Sequence, residues 1–111
     1  MPNDSLAEFE LLVMLAALRL GPDEAYTVSI VSDIEERTGR MVRRANVYTT
    51  LQRLERKGLV STRKGDPRAE RGGRPPRLVR IEPAGLAALR VTTGAIRSMI
   101  GGLDELLGEA R

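Results

Sequence analysis

The chain contains no cysteine, no histidine and no tryptophan. Their absence excludes disulfides, thiolate nucleophiles, imidazole acid–base chemistry and the usual zinc sites. Catalysis would have to rest on carboxylates, lysine or tyrosine. No convergent set of these is visible, so no catalytic residue, metal ligand or cofactor is expected. Apolar runs are also short, none approaching the roughly 18 residues of a membrane-spanning helix. The opening MPNDSLAEFELL carries acids rather than a basic n-region. These features predict a cytoplasmic protein with no membrane contact. Aromatic residues are limited to one Phe and two Tyr.

At 111 residues, with 41% hydrophobic content, the chain suits one small core with an appended element. Its net charge of +3 conceals a segregation. Between residues 37 and 80 stand twelve Arg and two Lys against Glu55, Asp66 and Glu70, a local charge of +11. The stretch before it carries −7 and the stretch after it −1. A basic block set apart in this way is the electrostatic footprint of a nucleic-acid binder.

Apolar periodicity predicts a first helix from about Leu6 to Leu20, with Ser5 and Glu8 at capping-box spacing. Phe9, Leu12, Val13, Ala16 and Leu20 share a face that Leu11, Leu15 and Leu18 widen, which predicts cover on more than one side. Gly21-Pro22 ends it. A second helix is predicted from Thr27, as N-cap, to Thr38, with Val28, Ile30, Val31 and Ile34 apolar and Gly39 at C′. Asp33, Glu35 and Glu36 read as an exposed acidic face rather than an acid–base pair.

A third helix is predicted from Arg44 to Lys57, closed by Gly58. At 100° per residue Val47, Leu51 and Leu54 form a narrow buried stripe. Opposite lie Ala45, Asn46, Thr49, Gln52, Arg53 and Arg56, a polar and basic face without an acid. Glu55 falls on the flank near Tyr48. Leu59 to Arg63 is β-prone, Lys64 to Pro76 is a loop rich in Gly, Pro and Arg, and Arg77 to Glu82 alternates as a returning strand. The GDPRAERGG stretch lacks the Lys-Ser/Thr of a nucleotide-binding loop. Beyond Pro83, at the first position of a fourth helix, apolar residues recur at heptad spacing: Leu89, Ile96 and Leu103 in one row, Ile100 and Leu107 in another, flanked by Met99. The natural cover for such a stripe is a second copy of the chain. Gly94 and Gly101-Gly102 interrupt it, marking a kink or a close crossing.

This order of elements predicts a mainly α fold with a small β-hairpin, a winged helix-turn-helix over residues 1–82 followed by a dimerisation helix over 83–111. In that fold the outer face of the third helix enters the major groove of double-stranded DNA and the hairpin grips the backbone. Asn46, Thr49 and Arg53 are the candidates for base edges, since Asn pairs bidentately with adenine and Arg with guanine. Arg43, Arg44 and Arg56 suit phosphates. The wing candidates are Lys64, Arg68, Arg71, Arg74 and Arg77. Leu89, Ile96, Met99, Ile100, Leu103 and Leu107 are the dimerisation candidates.

The stretches LLVMLAALRLGPDEAYTVSIVSDIEERTGR, VYTTLQRLERKGLV and GGRPPRLVRIEPAG resemble the PadR family of bacterial transcriptional regulators over roughly residues 9 to 90. The GGR wing and short C-terminal helix look most like the small PadR-like regulators often encoded beside ABC transporter permeases. The resemblance implies a homodimeric repressor, with Tyr48 near the DNA backbone and Arg74 in the wing. Three positions depart from the family pattern. Ala25-Tyr26 stands where a Gly often precedes the second helix, and Leu78-Val79 stands where the wing often carries a Tyr pair. Arg43 stands where a Ser-type N-cap is common.

Wider relatives sense phenolic or cationic aromatic compounds at the dimer interface. Here the C-terminal helix has no aromatic residue to stack on them, so weak or absent binding of planar dyes is expected, and tight saturable dye binding would contradict it. A small-molecule effector otherwise stays open. The competing reading is a winged-helix protein-interaction or ligand-sensing module in which DNA is secondary, with the acidic first third as its surface.

Overall fold

A computed structural model describes residues 6–66 and 75–108. The elements are α1 (Glu8–Leu20), α2 (Thr27–Thr38), α3 (Arg44–Arg56), β1 (Val60–Lys64), β2 (Arg77–Ile81), α4 (Pro83–Ile100) and α5 (Asp104–Leu107). Strands β1 and β2 pair antiparallel, Val60 opposite Ile81 and Lys64 opposite Arg77. The result is the expected three helices, hairpin and C-terminal helix.

The core lies where α1 crosses α2 and α3. Val13, Met14, Ile30, Val47 and Leu54 are fully enclosed there, and Val79 of β2 joins them. On α1 the most deeply buried apolar positions are Leu11, Val13, Met14, Ala16 and Ala17, while Phe9, Leu12 and Leu20 are only partly covered. Met14, which the periodicity did not single out, is therefore central.

The helix starts differ from expectation. Helix α1 begins at Glu8, two residues later than predicted; Ser5 lies outside the described residues, and Ala7 occupies the cap position. Glu10 Oε1 accepts a hydrogen bond from the Ala7 N–H at 3.0 Å. Tyr26, not Thr27, is the N-cap of α2. Its N–H donates to Ser29 Oγ at 3.0 Å. In both cases a side chain inside the first turn reaches back and accepts from the cap backbone N–H.

Two of the three acids on α2 are structural. Asp33, largely covered, bridges Arg19 of α1 and Arg37 of its own helix. Glu35 Oε2 accepts from the Val42 N–H at 3.0 Å. That bond pins the turn between α2 and α3, and so fixes where α3 begins. Helix α3 ends as predicted: Leu59 N–H reaches Leu54 O at 3.0 Å and Gly58 N–H reaches Glu55 O at 3.0 Å. This is the Schellman arrangement, and it places Gly58 at φ +77°.

The wing is bound to the domain through β2. Val79 N–H donates to Ala25 O at 2.9 Å, and Leu78 and Val79 are both buried. The Leu-Val pair that departs from the family pattern is thus an anchor.

The C-terminal stretch 83–111, expected as a separate dimerisation element, divides in two. Gly85, Ala88, Leu89 and Thr92 are buried in the chain's own core, and Thr92 Oγ1 accepts from the Leu6 N–H at 3.0 Å. Leu89 is therefore a core residue and not available to a partner. Helix α4 runs unbroken through Gly94 and stops at Ile100; a turn at Gly101-Gly102 precedes α5. Leu103 and Leu107 consequently lie beyond a break and do not continue the row of Ile96 along one axis.

Candidate nucleic-acid interface

The outward face of α3 is built by elimination. Val47, Thr50, Leu51 and Leu54 are buried, so the intervening Asn46, Thr49, Gln52, Arg53 and Arg56 must point outward, and all are exposed. Asn46, Thr49 and Arg53 line one shallow depression of about 340 Å³ together with Phe9 and Thr50. The three residues proposed from sequence as base-reading are thus gathered in one place, flanked by α1.

Arg43 is the N-cap of α3 and makes no side-chain capping bond. Arg43, Arg44 and Arg56 are exposed, and among the described residues none has an acidic partner within 4.0 Å. A cationic side chain near a helix N-terminus faces the positive end of the macrodipole, which disfavours it. An anion placed before these residues would reverse the sign of that term.

On the other flank, Tyr48 is about half exposed and its hydroxyl lies 3.4 Å from Gln52 Nε2. A cleft of about 340 Å³ opens there between α3, the start of α2 and the wing, with Thr27, Tyr48, Gln52, Glu55, Thr62 and Arg77 on its walls. Arg77, expected as a free wing cation, donates to Thr62 Oγ1. The Thr62 hydroxyl in turn donates to Glu55 Oε2 at 3.1 Å. Glu55, the single acid of the third helix, is therefore the tie between helix and wing. Lys64 is exposed at the end of β1. Arg68, Arg71 and Arg74 lie outside the described residues.

Several charges of the first third are engaged across the fold. Glu8 meets Arg40 at 3.1 Å, Asp23 meets Arg63 at 2.9 Å, and Glu10 meets Lys57 at 3.0 Å. Glu10 was not singled out from sequence, and only its place at the edge of the apolar stripe of α1 hinted at burial. Burial pushes its carboxyl upward, but the Lys57 hydrogen bond, the Ala7 N–H and the nearby Lys57 and Arg53 charges outweigh this and hold it below the usual carboxylate value. A depressed carboxyl stabilises the fold fully above its unfolded pKa. That contribution is lost as pH falls through the lowered folded value.

Among the described residues there is no cluster of acids able to hold a metal ion, and no helix long and apolar enough to cross a membrane.

Comparison with protein families matches residues 14–91 to the family described as "Transcriptional regulator PadR-like family". No curated protein matches the sequence. Among solved structures, a PadR family transcriptional regulator from Eggerthella lenta is 25% identical, with a TM-score of 0.67 over 90% of this chain and 86% of that one. A PadR family regulator from Clostridium difficile R20291 has a TM-score of 0.71 at 17% identity, over 91% of this chain and 99% of that one. BpsR of Bordetella bronchiseptica, whose DNA binding is regulated by 6-hydroxynicotinic acid, matches at 23% identity and a TM-score of 0.62, over 92% of this chain and 70% of that one.

Proposed function

Starting from its membership of the PadR-like family of transcriptional regulators, to which this chain belongs, we propose that it is a cytoplasmic repressor binding double-stranded DNA as a homodimer on a pseudo-palindromic operator. Helix α3 is the recognition helix, with Asn46, Thr49 and Arg53 at base edges and Arg43, Arg44 and Arg56 on phosphates. Tyr48 and the wing face the flanking backbone. Two-fold symmetry of the dimer would set half-sites about 10 bp apart or a multiple of it.

The observation that carries this reading is the contrast between the charges. Four acids of the first third, Glu8, Glu10, Asp23 and Asp33, are paired with cations, whereas Arg43, Arg44 and Arg56 stand exposed beside the polar face of α3 with no acidic partner among the described residues.

Selection of bound sequences from a random DNA pool tests the proposal. A palindromic motif is the expected result, and recovery of no motif would overturn it. An effector is suggested only by analogy with the ligand-regulated neighbour. Addition of candidate aromatic acids to the selected duplex would reveal one as loss of binding.

The arginine pair makes a sharper prediction. Arg43→Ser supplies a hydroxyl cap worth about 0.5 to 2 kcal/mol and removes a cation from the helix start, so the variant should melt higher than the wild type. Its operator affinity should fall, and the slope of log K against log salt should become shallower by about 0.9 per protomer. Unchanged affinity and slope would show that Arg43 does not touch phosphate.

A further inference from the structure

We propose that Glu10 is a positioning residue for sequence reading, seated beneath the recognition helix to hold the Arg53 guanidinium beside Asn46 and Thr49. The proposal rests on the DNA-binding reading above and adds a residue from outside the recognition helix.

The carboxylate is held from two sides. Its side chain is only 6% exposed. Oε1 accepts from the Ala7 N–H at the start of α1, and Oε2 accepts from Lys57 Nζ at the C-cap of α3, each at 3.0 Å. So anchored, it cannot follow a moving partner and acts as a fixed negative point. Arg53 Nη1 lies 3.9 Å from the same Oε2. That distance gives attraction without a close hydrogen bond, so most of the five guanidinium donors stay available. Arg53 keeps 45% of its side chain exposed and faces the depression it shares with Asn46 and Thr49.

An arginine with no such tether samples many rotamers and loses that freedom when it binds. One drawn to a fixed carboxylate on the neighbouring helix is preorganised, as a supporting shell orients a binding group. The same negative charge repels phosphate of any sequence and engages Lys57. Glu10 should therefore strengthen discrimination while weakening general affinity. These opposite signs distinguish positioning from a purely structural role.

The experiment compares binding of full-length wild type, Glu10→Gln and Lys57→Gln to two duplexes of equal length, the motif selected from a random pool and its scramble. Glu10→Gln keeps an oxygen to accept from the Ala7 N–H, and loses both the charge and the acceptor that faces Lys57 and Arg53. It should bind the scramble about twofold more tightly with a steeper salt slope, because Lys57 is freed for phosphate. Its ratio of selected to scrambled affinity should fall about tenfold, the scale of one base contact. Lys57→Gln leaves Arg53 as the remaining cation at the carboxylate. With the Glu10 charge less balanced, it should weaken both duplexes together and keep the ratio within about twofold.

A wild-type ratio retained by Glu10→Gln would overturn the role of Glu10, and so would equal gains on both duplexes. A wild-type protein that binds the two duplexes equally would instead remove the DNA-reading premise, and this role with it.

Discussion

Replacing Ile96 and Ile100 with glutamate should leave a folded monomer that binds its operator at least about a hundredfold more weakly than the wild type, the lower end of what linking two sites adds. Both side chains are about two-fifths exposed, and Met99 on the same helix and Leu106 and Leu107 beyond the turn are more so. Apolar area of this kind gains roughly 25 cal/mol per Å² when covered. Exposed apolar residues gathered at the end of α4 are the mark of an interaction surface. Because neither isoleucine belongs to the enclosed core, glutamate there should cost the isolated fold little. Sedimentation velocity and a DNA shift assay on one preparation test both halves. A double variant that still sediments as a dimer would place the seam elsewhere. Truncation after Glu82 is not an equivalent test, because it would strip Ala88, Leu89 and Thr92 from the core.

Gly85→Ala should lower the melting temperature sharply while Gly94→Ala, nine residues along the same helix, should raise it. A Cβ on Gly85 would stand 2.1 Å from the Leu59 carbonyl oxygen and 2.9 Å from Met14 Cε. Met14 can turn aside, but the carbonyl is backbone. It also accepts the Glu82 N–H at 3.0 Å, so its retreat would break the bond that joins the residue before β1 to the start of α4. Overpacking of this sort costs about 1 to 3 kcal/mol or more. For a domain of this size each kcal/mol moves the transition by roughly 4 to 8 °C. At Gly94 nothing lies within 4 Å, so alanine should gain about 0.5 to 1 kcal/mol from helix propensity alone. Thermal unfolding followed by circular dichroism at one protein concentration decides both. A Gly85→Ala protein as stable as the wild type would mean that α4 does not press on β1 as described.

Much of the fold was legible because its signals are local. The stripe of Val47, Leu51 and Leu54 follows from helical geometry, and the Gly58 stop from the need for a left-handed residue. Once the stripe was known, the outward set of Asn46, Thr49 and Arg53 followed with no tertiary information. The helix starts were less legible. Thr27 is a sound N-cap by residue type, yet Ser29 satisfies the Tyr26 N–H from inside the turn, and the choice between two nearby hydroxyls depends on how the preceding loop enters. The acids of α2 misled for a related reason. Asp33 and Glu35 look solvated on a helical wheel until Arg19 and the Val42 N–H are brought to them.

The sequence by itself determined the chemistry that is absent, the segregation of the basic block, the two faces of α3 and the order of helices and hairpin. All of these depend on residue type or on neighbours within a few positions. Only the tertiary structure decided which charges are already partnered and which apolar residues of α4 are already covered. Glu10 and Lys57 are 47 residues apart in the chain, and Asp23 and Arg63 are 40 apart; no periodicity carries such a pairing. Likewise Leu89 and Ile96 share one heptad row, but the folded chain buries the first and leaves the second exposed. Coulomb attraction and burial act through space, so they became readable only once the chain had been folded back on itself.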